Sequence, residues 1–97
     1  MKLRLTPRAA RNIAAIAADI RDHNPAAAVC VRAAIYKGLQ NLVLFPRAGR
    51  RQQTEGVRKL VTRPYAHIIY YTIDEDAQEI IVVAVKHPSQ KREYQDL

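Results

Sequence analysis

Two cap-and-proline signals, Thr6-Pro7 and Asn24-Pro25, constrain this chain more than any other feature. In each, a side-chain oxygen can accept from an orphan N–H of a first helical turn. The proline behind it takes the position where a missing N–H does no harm. After the first signal, Ala10, Ile13, Ala14, Ile16, Ala17 and Ile20 recur at three- and four-residue spacing. Arg8, Arg11, Asn12, Asp19 and Asp22 fall largely on the other side, so the spacing predicts an amphipathic helix over 7–22. A second helix is expected over 25–44, with Val31, Ile35, Leu39, Leu42 and Phe45 as its apolar stripe. The link between them is so short that the helices must fold back as an antiparallel hairpin.

The flanking segments follow a different period. Leu3 and Leu5 alternate with Lys2 and Arg4, which suits a short edge strand guarded by charge. Residues 45–56 show no period and hold Pro46, Gly49 and Gly56, the signature of a surface loop. Three β-type runs come next, over 57–62, 66–73 and 79–86, separated by Arg63-Pro64 and by Asp74-Glu75-Asp76-Ala77, lengths that suit an antiparallel meander. The order β-α-α-β-β-β defines an α+β fold, with an N-terminal helical hairpin packed on one face of a mainly antiparallel four-stranded sheet. At 97 residues there is room for one core, so 1–97 is read as a single domain. Ile68-Ile69-Tyr70-Tyr71 and Ile80-Ile81-Val82-Val83-Ala84-Val85 are apolar on both sides of their strands, yet a helical hairpin covers only one sheet face. The second face calls for the C-terminal tail, a twin subunit or another chain.

Charge narrows the partners. Sixteen Lys+Arg against nine Asp+Glu give +7, and eleven of the sixteen are Arg, the side chain that forks onto phosphates and carboxylates. Residues 1–37 and 46–63 each carry +5, whereas 64–97 carry −3. So uneven a field points to a polyanion or an acidic protein. The single cysteine, Cys30, cannot close an internal disulfide and is expected to be a small core residue in a reducing compartment. Met1-Lys2-Leu3-Arg4-Leu5 opens no apolar signal region and no run is long enough to span a bilayer, so a cytoplasmic chain without membrane contact is expected.

Three scattered glycines make no phosphate-cradling loop, and no His/Cys/Asp cluster has zinc spacing, so neither a metal nor a nucleotide cofactor is expected. Asp74, Glu75 and Asp76 fall in a turn and suit a solvated hairpin tip. Basic and aromatic residues remain. Arg58 and Lys59 lie on the first strand of the meander, Lys86 and His87 at the end of the last, and Lys91, Arg92 and Tyr94 beyond it. Gathered in one cleft, Arg58, His87 and Tyr94 could cleave RNA without metal. One group would take the 2′-hydroxyl proton, Arg58 would stabilise charge on phosphorus, and another would protonate the leaving oxygen. The plainer alternatives are an Arg58 that faces solvent or an acidic partner, a His87 that ends a strand, and a Tyr94 that anchors the tail. Arg50, Arg51, Lys59, Lys86, Lys91 and Arg92 are the candidate contacts to nucleic acid or to another target.

One ordered set of segments resembles a known superfamily. Pro46-Arg47-Ala48-Gly49-Arg50, Val57-Arg58-Lys59-Leu60, Pro64-Tyr65-Ala66-His67-Ile68-Ile69-Tyr70-Tyr71 and Ile80-Ile81-Val82-Val83-Ala84-Val85-Lys86-His87 are similar to the RelE/ParE toxins of type II toxin–antitoxin modules. The resemblance implies a growth inhibitor without cofactor that forms a hetero-oligomer with a cognate antitoxin. Antitoxins of this kind lay an amphipathic, often acidic segment over the toxin, which would account for both the positive charge and the bare sheet face. It leaves two targets open. ParE-like members poison DNA gyrase; RelE-like members enter the ribosome and cut mRNA. On the RelE-like pattern Arg58 matches the arginine early in the meander, and the remaining roles fall on Lys86, His87, Arg92 or Tyr94. The ParE-like reading is favoured, because the basic set after the last strand is sparse. A basic nucleic-acid-binding module is the third alternative and predicts salt-dependent duplex binding without growth arrest.

Overall fold

The computed structural model describes residues 1–88. Strand β1 (Lys2–Leu5) leads into helices α1 (Pro7–Arg21) and α2 (Pro25–Leu44), followed by β2 (Arg50–Arg51), β3 (Val57–Val61), β4 (Ile68–Asp74) and β5 (Glu79–Lys86). Both helices begin where the sequence places them: the Thr6 hydroxyl accepts from the Ala9 N–H, and the Asn24 side chain from the Ala27 N–H. The sheet order is β1-β5-β4-β3-β2, antiparallel throughout except for the parallel pair β1–β5. It thus has five strands rather than four. The additional strand is β2, two residues within the expected loop, which the aperiodic Arg50-Arg51 could not announce.

The helical hairpin covers one face. Ile13 and Ile16 of α1 and Val31, Ile35, Leu39 and Leu42 of α2 pack on Ile69, Tyr71, Ile80, Val82 and Val85. Two polar ties fix α1 against the sheet. Besides capping the helix, the Thr6 hydroxyl donates to the Val83 carbonyl at 3.2 Å. The Asn12 side-chain oxygen accepts from the Val85 N–H at 3.1 Å. Both ties meet a β-bulge, where Tyr70 pairs with Ala84 and Tyr71 with Val82, leaving Val83 as the extra residue. The bulge shifts the alternation by one. Val82 and Val85 therefore share the helix side, while Ala84 joins Val57, Ile68 and Tyr70 in a second apolar cluster. Both strands are thus apolar on both faces, as the sequence implies.

Four local expectations are corrected. Ala10 and Ala14 are exposed, and Ala9 takes the buried place next to the cap. Phe45 is not part of the α2 stripe; it is the C-cap, leaves helical geometry at φ −131°, and stands 66 % exposed. Cys30 is exposed rather than in the core, because Val31 and Ala28 occupy the inward side of that turn. The strand expected from residue 66 begins at Ile68. Ala66 sits at φ 59°, which no extended strand accommodates. Among the described residues no helix is long and apolar enough to cross a membrane, and no group of three metal-ligating side chains exists.

Candidate functional site

The basic residues fall into two places on the sheet. At the β2–β3 edge, Arg50 lies opposite Lys59 and Arg51 opposite Arg58. Like charges directly across a strand pair are destabilising, so two such pairs side by side form a positive edge that the fold itself does not require. Neighbouring Arg47 is neutralised by Glu75. Beside this edge lies a groove of about 600 Å³, lined by Arg47, Arg51, Gln52 and Arg58 together with Glu55 and Glu75.

Arg58 has a structural task here. Its guanidinium donates to the carbonyls of Gly49 at 2.9 Å and Arg47 at 3.3 Å. It thereby holds the loop that carries the chain out of α2. Tyr71, cross-strand from Arg58, completes the clamp. Its hydroxyl donates to the Pro46 carbonyl at 2.7 Å and accepts from the Gly49 N–H at 2.8 Å. Burial pushes the Tyr71 phenol above its ordinary pKa, against the opposing pull of the Gly49 N–H and the Arg58 charge. Residue 49 has to be glycine: a Cβ would stand 2.6 Å from the Tyr71 oxygen and 2.9 Å from the Lys59 carbonyl. Neither Tyr71 nor Gly49 is singled out by charge or catalytic chemistry in the sequence. The only signal is the Pro-x-x-Gly-Arg spacing followed by a tyrosine-rich strand.

The second place is the far end of the meander. Lys86 pairs with Ile68, and its ammonium lies 5.5 Å from the centroid of the Tyr70 ring, on the face opposite the helices. His87 meets His67 edge-on, centroids 5.5 Å apart. His67 is only 3 % exposed and, among the described residues, neither ring nitrogen has a hydrogen-bond partner. Burial, and secondarily the His87 charge, lower its pKa.

The structure does not bring Arg58 and His87 together. Arg58 pairs with Tyr71 and Lys86 with Ile68, three residues away along β4, which is roughly 10 Å plus two strand spacings of about 4.8 Å. Arg58 and Lys86 point to opposite faces, Arg58 reaching the α2 loop and Lys86 covering Tyr70, whereas His87 lies with Val85 beside Asn12 and Ile16 of α1. In an antiparallel meander the end of β5 lies beside the end of β3, not its start. The β2–β3 pair sets Arg51 across from Arg58 on the helix side and Arg50 across from Lys59 on the Tyr70 side; Lys86 and His87 lie at the other end of the meander. Lys91, Arg92 and Tyr94 lie outside the described residues.

Solved structures share this architecture. The chromosomal ParDE toxin–antitoxin system from P. aeruginosa superposes with a TM-score of 0.78 at 23 % identity, over 90 % of this chain and 95 % of that one. The intact E. coli RelBE toxin–antitoxin complex gives 0.66 at 18 % identity, over 92 % and 98 %. The toxin–antitoxin complex RelBE2 from Mycobacterium tuberculosis gives 0.62 at 21 %, over 89 % and 95 %. No curated protein matches by sequence. The fold is that of the RelE/ParE superfamily of toxins. Within it, residues 3–92 match the model of the ParE toxin of the type II toxin–antitoxin system parDE, and the chain belongs to that family.

Proposed function

We propose that this toxin arrests growth by poisoning DNA gyrase, and that an antitoxin encoded beside it neutralises it. The observation that carries this reading is the employment of Arg58. In a metal-free ribonuclease that guanidinium would stand open beside a general acid and base. Here it is spent on two backbone carbonyls, on the other face of the sheet from Lys86. Arg50, Arg51 and Lys59, which make no ion pair among the described residues, then serve as the protein-contacting edge rather than as catalysts. The ParDE likeness and the family membership agree with this choice.

Induction in a bacterial host tests it. The expected outcome is a DNA-damage response with filamentation while translated mRNA stays intact, and Arg58→Ala should lower stability along with toxicity. Cleavage of mRNA within codons, abolished by Arg58→Ala in a protein of unchanged stability, would establish the RelE-like reading in its place. Salt-dependent duplex binding without growth arrest would establish a nucleic-acid-binding module.

A further inference from the structure

Helix α2 is apolar on both sides. Its inner side, with Ala28, Val31, Ile35, Leu39 and Leu42, is buried. Yet of the six large apolar side chains exposed among the described residues, five also lie on this helix or its cap: Val29, Tyr36, Val43, Leu44 and Phe45. An amphipathic surface helix keeps such residues on its core side, and a contiguous exposed set of them marks an interaction surface. The outer residues follow a strict seven-residue rhythm. Val29, Tyr36 and Val43 form one set and Ala26, Ala33 and Gln40 the other, separated by steps of three and four, and all six are exposed. That is the spacing of a coiled-coil seam. α2 holds no Asp or Glu, and its two charged residues, Arg32 and Lys37, fall on opposite flanks of the seam.

We infer that this seam pairs with α2 of a second copy of the chain, the two helices running antiparallel about a twofold axis level with Ala34 and Ile35. An isologous contact has to be its own complement. Reversed on itself, the seam sets Ala33 against the partner's Tyr36, Ala26 against the partner's Val43 and Val29 against the partner's Gln40, so the alanines leave room for the larger side chains. A parallel pair would instead set Tyr36 on Tyr36 and Ala33 on Ala33, a crowded layer beside an empty one. This self-complementarity favours a second copy over an acidic helix of another protein, which would have no need of it. Arg32 and Lys37 then stand at the rim, where long side chains reach into water, so their like charge weakens the dimer without forbidding it. A seam from 26 to 43 is about 26 Å long. Its area falls at the low end for specific interfaces, roughly 1,000 Å² in total, which suits a micromolar dimer. The inference goes beyond the toxin reading and holds for either target.

Sedimentation equilibrium of the purified full-length toxin tests it. A monomer–dimer equilibrium in the micromolar range is expected, tightening as salt screens Arg32 and Lys37. Tyr36→Ala and Ala33→Tyr should each weaken the dimer about tenfold or more. The double variant Ala33→Tyr/Tyr36→Ala exchanges small for large across the central layers and should return it to within about threefold of the unaltered chain. If a tyrosine at 33 prevents folding, Ala33→Lys should weaken the dimer likewise, whereas Ala14→Lys, exposed on α1, should leave it unchanged. Toxin that stays monomeric up to about 1 mM overturns the inference, as does a dimer indifferent to Tyr36→Ala and Ala33→Lys. A swapped double variant no tighter than the single ones overturns the antiparallel pairing. A monomer whose Tyr36→Ala variant loses antitoxin binding assigns the seam to the antitoxin and overturns the inference too. Absence of growth arrest would overturn the toxin reading and leave the dimer standing.

Discussion

At Gly49 a single missing methyl decides whether the loop after α2 can close. The Tyr71 hydroxyl and the Lys59 carbonyl both lie closer to the place of a Cβ than real contacts allow, and the carbonyl cannot swing aside as a flexible side chain would. Gly49→Ala should therefore destabilise by about 1–3 kcal/mol. Tyr71→Phe leaves the Gly49 N–H and the Pro46 carbonyl without their partner and should cost about 1–3 kcal/mol. Urea denaturation of the two variants would measure both. His67 gives a different signature. Its folded pKa lies below the unfolded value near 6.5, so the unfolded chain binds the proton more readily. Stability is then full above about pH 6.5 and declines as pH falls from there through the lowered folded pKa. Unfolding midpoints between pH 7 and pH 5 should show this decline, and His67→Leu should flatten it. An unchanged slope in that variant would mean that His67 is not the titrating group.

The elements differ in how openly the sequence declares them. Helix starts were legible because capping is local chemistry: Thr6 and Asn24 do what their neighbours require. Helix faces were less so, since in an alanine-rich segment the pattern cannot tell whether Ala9 or Ala10 turns inward. β2 and the pairing of β1 with β5 depend on partners far along the chain and left no periodic trace. The same holds for the bulge at Val83, which made β5 look uniformly apolar when two alternating faces were spliced in it. Of the site, the basic edge was legible as composition, but the separation of Arg58 from His87 is a matter of strand register, which follows from pairing rather than residue type. The α2 stripe can be tested directly. Leu39 is 1 % exposed and Leu44 70 %, so Leu39→Ala should cost about 2–5 kcal/mol and Leu44→Ala less than about 0.5 kcal/mol. Similar losses in both would mean that the end of α2 is covered in solution.

For the whole molecule, the arrangement separates holding from touching. The helices and one sheet face form the main core, with Arg58 and Tyr71 bracing the loop that leads to β2. Exposed Arg50 and Arg51, with Lys59 across from Arg50, are left to present charge outward. On the proposed reading the toxin inhibits by occupying a partner, and its potency should weaken with salt, because exposed charges act over a Debye length of about 8 Å at physiological ionic strength. Incubation of the purified toxin with gyrase and relaxed plasmid puts this most directly. Supercoiling should stop, and Arg50→Glu/Arg51→Glu should restore it. Undiminished supercoiling at every toxin concentration, alongside cleavage of ribosome-bound mRNA by the same preparation, would contradict it.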